Sequence, residues 1–458
     1  MKPNEIDMLN GKLTGKILRF AAPLAATAVL QQLFNAADIA VVGRFASSHA
    51  MAAVGSNASV IALIVNLFLG LSVGANVVVA SLIGSGKRER ISDAVHTVIS
   101  VALITGFVLI AVMNLVARPL LGLMGAPEEV MDLAVLYLRV YSFCLPGMML
   151  YNFGSAVLRS KGDSRRPLLA LMVSGVANIL LNLLFVIVFH MHVVGVGLAT
   201  TISNIFSAGL VILFLVKEQE PFRLSFKKLR IRKRYLLGMI RIGLPAGLQG
   251  CVFSFSNVVI QSTINSFGAA AIAGSTAAQN LEFISYCIVN AFGQTAVTFT
   301  SQNYAAGKTS RCKKIFLTTM AWGIGIDILA VGVIILLRFP LMSLFTTDPA
   351  VLEYAMIRIM RVCLLHFLVG TYEISGGALR GMNHSLMPAL ISMFGTCVFR
   401  MIWVFVFVRM NHDFTLLMTV YPASWIFTGI IMLTAYFIVR RKAFAVVEAK
   451  QQGGITTS

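Results

Sequence analysis

The chain has 458 residues, 58% of them hydrophobic and 12% charged, with a formal charge of +19; an average soluble domain runs at about 45–50% apolar and about 25% charged. That excludes an ordinary water-soluble enzyme. A helical crossing of a bilayer takes about 20 apolar residues, so the length holds about a dozen, and the excess of 37 Lys and Arg over 18 Asp and Glu reads as loop topology, with no nucleic-acid partner.

The opening stretch, MKPNEIDMLNGKLTGKILRF, carries acids and no small-residue cleavage site, so it does not read as a signal peptide. Apolar runs then follow at 17–42, 52–83, 94–117, 133–158, 167–190, 193–216, 236–264, 270–300, 315–338, 352–379, 386–409 and 414–439. Twelve crossings place both termini on one side. The two tails and the even-numbered connections hold 28 of the 37 basic residues, whereas the odd-numbered connections hold only Arg44, Arg118, Arg338 and Arg409. Positive charge marks the cytoplasm, so both termini are expected there, in a protein of the cell membrane. The reading is an all-α polytopic membrane protein of twelve transmembrane helices. Its domains are an N-terminal six-helix lobe (1–216), a basic linker (217–234), a C-terminal lobe (235–440) and a tail (441–458). The six cysteines have neither metal-ligand spacing nor a disulfide framework, and GxxxG-like spacings carry no weight in this background.

Sliding the chain on itself by 221 to 222 residues aligns Pro23 with Pro245, Asn35 with Asn257, and Gly86-Lys87 with Gly307-Lys308. It also aligns Leu158-Arg159 with Leu379-Arg380, and Pro167 with Pro388. Five marks in one frame indicate a duplication. Copies with an even number of crossings share orientation, so the two lobes should be related by a pseudo-twofold axis along the membrane normal, an architecture used by transporters.

Four acids fall at membrane depth: Asp38, Glu282, Asp327 and Glu373. A carboxylate there costs about 3 kcal/mol on insertion scales, so it faces a cavity or a partner. Gln31, Asn35 and Asp38 share one face of the first crossing by their spacing of four and three. The fifth crossing carries Asn178 and Asn182, and the sixth Thr200, Thr201 and Ser203; these oxygens are hard ligands suited to a small cation, and a lone buried carboxylate also carries a proton. Glu282, Glu373 and Arg400 are candidates to line a cavity in the second half, with Arg400 expected to pair with Glu373 or Asp327. Asp38 aligns with Ile260, so this acid belongs to one half alone. No P-loop, nucleophile elbow or zinc-binding helix occurs. The chain is therefore read as no enzyme and without a cofactor, and its energy as coming from an ion gradient.

These features resemble a family. Pro23, Asp38 and Gly43 on the first crossing, LRSKGD before Pro167, NILLN on the fifth, GVGLAT on the sixth and GALRG before Pro388 are similar to the multidrug and toxin extrusion (MATE) transporters of prokaryotes. The resemblance covers nearly the whole chain. It implies export of amphipathic, often cationic, compounds in exchange for Na+ or H+ by rocking between two open states, with small-molecule drugs and the bilayer as partners and a monomer as the unit. It carries the ion-coupling role to Asp38, Asn178 and Thr200, where Na+ could sit. The family branch nearest in pattern has an acid at the position of Asn182, and another has an acid on the seventh crossing, where this chain has Gln249. The coupling ion is therefore open, and a flippase for a lipid-linked sugar is the alternative function.

Overall fold

The computed structural model describes residues 5–45, 48–123 and 128–453, and among these there is no strand. Lys2 and residues 454–458 of the tails lie outside them. The helices are α1 (Thr14–Phe45), α2 (Ser48–Gly84), α3 (Arg88–Leu123), α4 (Glu128–Ser142), α5 (Leu145–Ser160), α6 (Arg165–Leu183), α7 (His192–Val216) and α8 (Lys233–Asn265). They continue with α9 (Ala269–Ala305), α10 (Thr309–Leu336), α11 (Arg338–Ser343), α12 (Pro349–Arg361), α13 (Val369–Gly381), α14 (Leu386–Ser392), α15 (Phe399–Ile402) and α16 (Phe414–Gly453).

Every one of the twelve apolar runs is helical. Nine described helices are long and apolar enough to cross a bilayer, and the α4–α5 pair, bent by 45°, makes a tenth. The bend falls just before Pro146, whose ring and missing N–H end the preceding helix. The other two runs, α9 and α12–α13, are helical but diluted by polar residues such as Glu282, Arg358, Glu373 and Arg380, the groups that at membrane depth must find partners within the protein.

The duplication is visible in local geometry. Gly86 and Gly307 end α2 and α9 at φ of 70° and 73°, left-handed values that glycine adopts without cost. Gly162, at φ 99°, is repeated by Asn383 at φ 68°, and the same turn bond closes there: Asp163 N to Leu158 O and His384 N to Leu379 O, both 3.0 Å. A π-helical stretch follows α6 at Leu184–Val188, and another ends the eleventh crossing at Trp403–Val408, overlapping positions in a 222-residue frame.

The described chain forms two compact units, one of Met1–Asp7 with Ala26–Gly247, the other of Met8–Ala25 with Leu248–Ser458. The division falls inside α1 and α8, two residues after the repeated Pro23 and Pro245. The first unit buries Val98, Leu109, Met113, Leu138, Met149, Phe153 and Val211. Within it α2 meets the first half of α8 through glycines: a Cβ on Gly70 would strike the Gly247 backbone, and one on Gly243 would lie 2.5 Å from Leu71 Cα. Spacings that carry no weight in sequence thus set a backbone-to-backbone contact, the way membrane helices pack without a hydrophobic drive between them. The basic segment 217–232 is not a free linker. Ser225 N donates to His96 Nε2 at 3.0 Å, and Arg232 N to Thr97 Oγ1 at 3.1 Å, on α3. The buried Glu218 receives Lys161 at 2.6 Å and Arg166. The second unit packs α13 on α9 through Gly377, where a Cβ would lie 2.5 Å from Gly293 O. It buries Phe316, Tyr372, Leu379, Trp425 and Tyr436.

Candidate functional site

In the first unit the acid of α1 finds its partners on α6 and α7. Asn182 Nδ2 donates to Asp38 Oδ1 at 2.5 Å and to Asn178 Oδ1 at 3.3 Å. Asn178 Nδ2 donates to Ser203 Oγ at 3.3 Å, and that hydroxyl donates to the Thr200 carbonyl at 3.0 Å. Thr200 holds its own hydroxyl beside the Asp38 carboxyl, outside hydrogen-bonding geometry. The four-residue step from Asn178 to Asn182 puts both amides on one face of α6, and Gly175, one turn earlier, lets the Phe34 ring lie on the α6 backbone. Phe34 precedes Asp38 by one turn, so the contact that seats the ring also sets the Asp38–Asn182 bond. Tyr137 and Tyr141 of α4, both buried, lie close enough to feel the Asp38 charge; sequence gives no signal for them, because tyrosines on an apolar helix read as core.

Two acceptor oxygens at this cluster, Asn182 Oδ1 and Thr200 Oγ1, are buried without a hydrogen-bond partner. A buried polar atom left unsatisfied costs about 1–3 kcal/mol. Carboxylate, amide and hydroxyl oxygens with spare lone pairs, gathered in one cluster, are the ligand types that a hard monovalent cation takes up, and Asp38 alone can hold a proton. Among the described residues no three His, Cys, Asp or Glu gather as a metal cage. Gln31 and Asn35 are exposed on α1 and stand apart from the hydrogen-bonded cluster.

The charges of the second unit are arranged in pairs. Glu282 meets Arg358 at 2.9 Å, and Arg358 also donates to Ser275 Oγ at 2.8 Å and lies over the Tyr421 ring at 5.2 Å. Glu373 meets Arg380 at 3.7 Å, which donates in turn to Gln249 Oε1 at 2.9 Å. Asp327 meets His366 at 3.0 Å. The carboxylates expected for Arg400 are thus engaged elsewhere. Arg400 is buried against the Tyr421 ring at 4.7 Å and donates to Ser424 Oγ at 3.0 Å, so its partner is an aromatic face, which attracts a guanidinium through the ring quadrupole.

The MatE family model matches residues 23–184 and again 245–406, two copies offset by 222 residues as the internal repeat requires. The chain is 28% identical over 388 residues to a probable multidrug resistance protein, YoeA, of Bacillus subtilis, covering 82% of each chain. It is 27% identical over 403 residues to a probable multidrug resistance protein, NorM, of Thermotoga maritima, covering 86% of this chain and 85% of the other. Its fold superimposes on a crystal structure of MATE in the bent conformation with a TM-score of 0.86 at 21% identity, over 97% of this chain and 98% of that one. With that match the twelve helices in two lobes are accounted for, and the chain belongs to the MatE family, whose members are membrane transporters and not enzymes.

Proposed function

We propose that this chain is a secondary active exporter of amphipathic organic cations that carries its counter-ion on Asp38, in the cell membrane and with both termini in the cytoplasm. The observation that carries the reading is the Asp38 cluster: a membrane-depth carboxylate, one donor on it, and two acceptor oxygens left without donors. Those two oxygens favour sodium over a proton, since a protonated Asp38 offers a single O–H and can satisfy at most one of them, whereas a cation can be ligated by both. The names of the similar multidrug resistance proteins support the substrate class.

The residues suggest how binding could become motion. Pro23 lacks the N–H that α1 would need at that point, and α1 changes unit two residues later, so the helix has a built bending point between its two halves. A cation neutralising Asp38 changes what the second half of α1 gains by staying against α6, and a ligand shifts a conformational equilibrium by its differential affinity for the two states. Binding of the ion from outside would then favour the conformer that expels the drug.

The test is efflux of ethidium from proteoliposomes under an imposed sodium gradient or an imposed proton gradient, applied separately. Sodium alone should drive it, and Asp38→Asn should cut the rate at least about ten-fold, the weight of one lost charge-assisted contact, with normal insertion. Efflux driven by protons and indifferent to sodium would reassign the ion. Undiminished efflux in Asp38→Asn would overturn the role of Asp38, and flipping of a lipid-linked sugar without dye efflux would overturn the substrate class.

A further inference from the structure

The end of α16 and the start of α10, both in the second unit, enclose a pocket of about 540 Å³ lined by Lys313, Arg440, Arg441, Phe437, Phe444 and Glu448, among others. Two of its three cations lie over rings. Lys313 Nζ lies 5.9 Å from the centre of Phe444, and the Arg440 guanidinium lies 4.9 Å from Phe437 and 5.5 Å from Tyr436. The one acid of the lining, Glu448, accepts from Thr309 Oγ1 at 2.9 Å. Three positive charges, two of them over aromatic rings, thus face a cavity that holds a single carboxylate.

The same helix continues the feature toward membrane depth. From Lys313 the i, i+4 row of α10 runs through Leu317, Ala321, Gly325, Leu329 and Val333. Leu317 and Leu329 are 62% and 71% exposed, and a Cβ on Gly325 would meet nothing within 4 Å. From Ala321 onward the row, with Trp322 and Ile326, lines a second groove of about 720 Å³. Lys313 to Gly325 spans about 18 Å along the helix, close to one leaflet of a hydrocarbon core about 30 Å thick.

We propose that the two features form one site for an anionic glycerophospholipid, its headgroup phosphate among Lys313, Arg440 and Arg441 and one acyl chain along the α10 groove. Charge complementarity selects the headgroup, and the apolar row that begins at the cationic pocket selects a lipid over a soluble phosphate ester. The site is independent of the ion carried by Asp38. Its function is to hold one lipid against the second lobe.

The experiment measures binding of dioleoylphosphatidylglycerol to the full-length, delipidated protein by native mass spectrometry, with dioleoylphosphatidylcholine and inorganic phosphate as comparators. One phosphatidylglycerol should be retained in preference to phosphatidylcholine. Each of Lys313→Gln, Arg440→Gln and Arg441→Gln should weaken it about five-fold, the weight of one basic residue at an anionic surface. Gly325→Leu, which fills the groove, should weaken the lipid without changing phosphate binding, and Lys87→Gln with Arg88→Gln, in the other unit, should change nothing. Arg441 is exposed, so its variant tests the idea even where the Arg440 variant does not assemble. Equal retention by the Arg441 variant, or displacement of the lipid by millimolar phosphate with Gly325→Leu silent, would overturn the proposal, the second result leaving a bare phosphate site.

Discussion

Thr200→Val separates a sodium ligand from a passive core hydroxyl, because the two roles give opposite signs. The Thr200 hydroxyl is buried without a hydrogen-bond partner, and valine keeps its shape while removing the polar atom. Relieving an unsatisfied buried hydroxyl should stabilise the ion-free protein by about 1 kcal/mol, which for a chain of this size raises the melting temperature by about 1–2 °C. In sodium the effect reverses. Loss of one oxygen ligand worth about 1.4 kcal/mol lowers sodium affinity about ten-fold, and the stabilisation from bound ion falls with it. The assay is thermal unfolding in detergent, in choline chloride against sodium chloride, with Thr201→Val as control. Thr201 donates to Gly197 O at 2.8 Å, so its valine variant should lose about 0.5–1.5 kcal/mol in both salts. If sodium stabilises the Thr200 variant as much as the parent, Thr200 is not a ligand and the orphaned oxygens do not mark a cation site.

Three other outcomes follow from contacts in the structure. Glu282→Gln strands Arg358, whose side chain is 2% exposed, and should cost about 3–5 kcal/mol, read as loss of monodisperse protein on mild heating; pairing it with Arg358→Met should recover most of the loss. Gly175→Val should drive Phe34 off α6 and cut efflux, with Phe34→Ala restoring part of it, because the ring and the Asp38–Asn182 bond share one helix contact. Arg230 beside Asp93 holds that carboxyl below its usual range, so the attachment of 217–232 to α3 is complete at neutral pH and is lost as pH falls through that lowered value. Asp93→Asn should therefore speed trypsin cleavage at Lys227 and Lys228 at neutral pH, and parent and variant should converge in acid; equal rates at pH 7 would show that Asp93 holds nothing.

What could be read from the chain without coordinates follows from which interactions are local. Hydropathy places helices, because a bilayer forces each crossing to satisfy its backbone internally, and so all twelve runs are helical. The repeat is legible through Pro23 and Pro245 or Gly86 and Gly307, since a missing N–H or a left-handed turn demands particular residues wherever the geometry recurs. Asn178 and Asn182 are legible as a pair because four residues make one helical turn. Contacts between distant segments are not legible in this way. Asp38 and Asp327 are indistinguishable by depth and composition, yet one accepts from the Asn182 amide while the other meets His366. Arg400 could be assigned a carboxylate only by proximity in a list of candidates, and what it meets is Tyr421. Chemistry therefore enters through packing, and the packing is set by residues that carry none. Gly175 brings α1 close enough to α6 for Asp38 to be held, so a bulky residue there should silence the site while every polar group in it is intact.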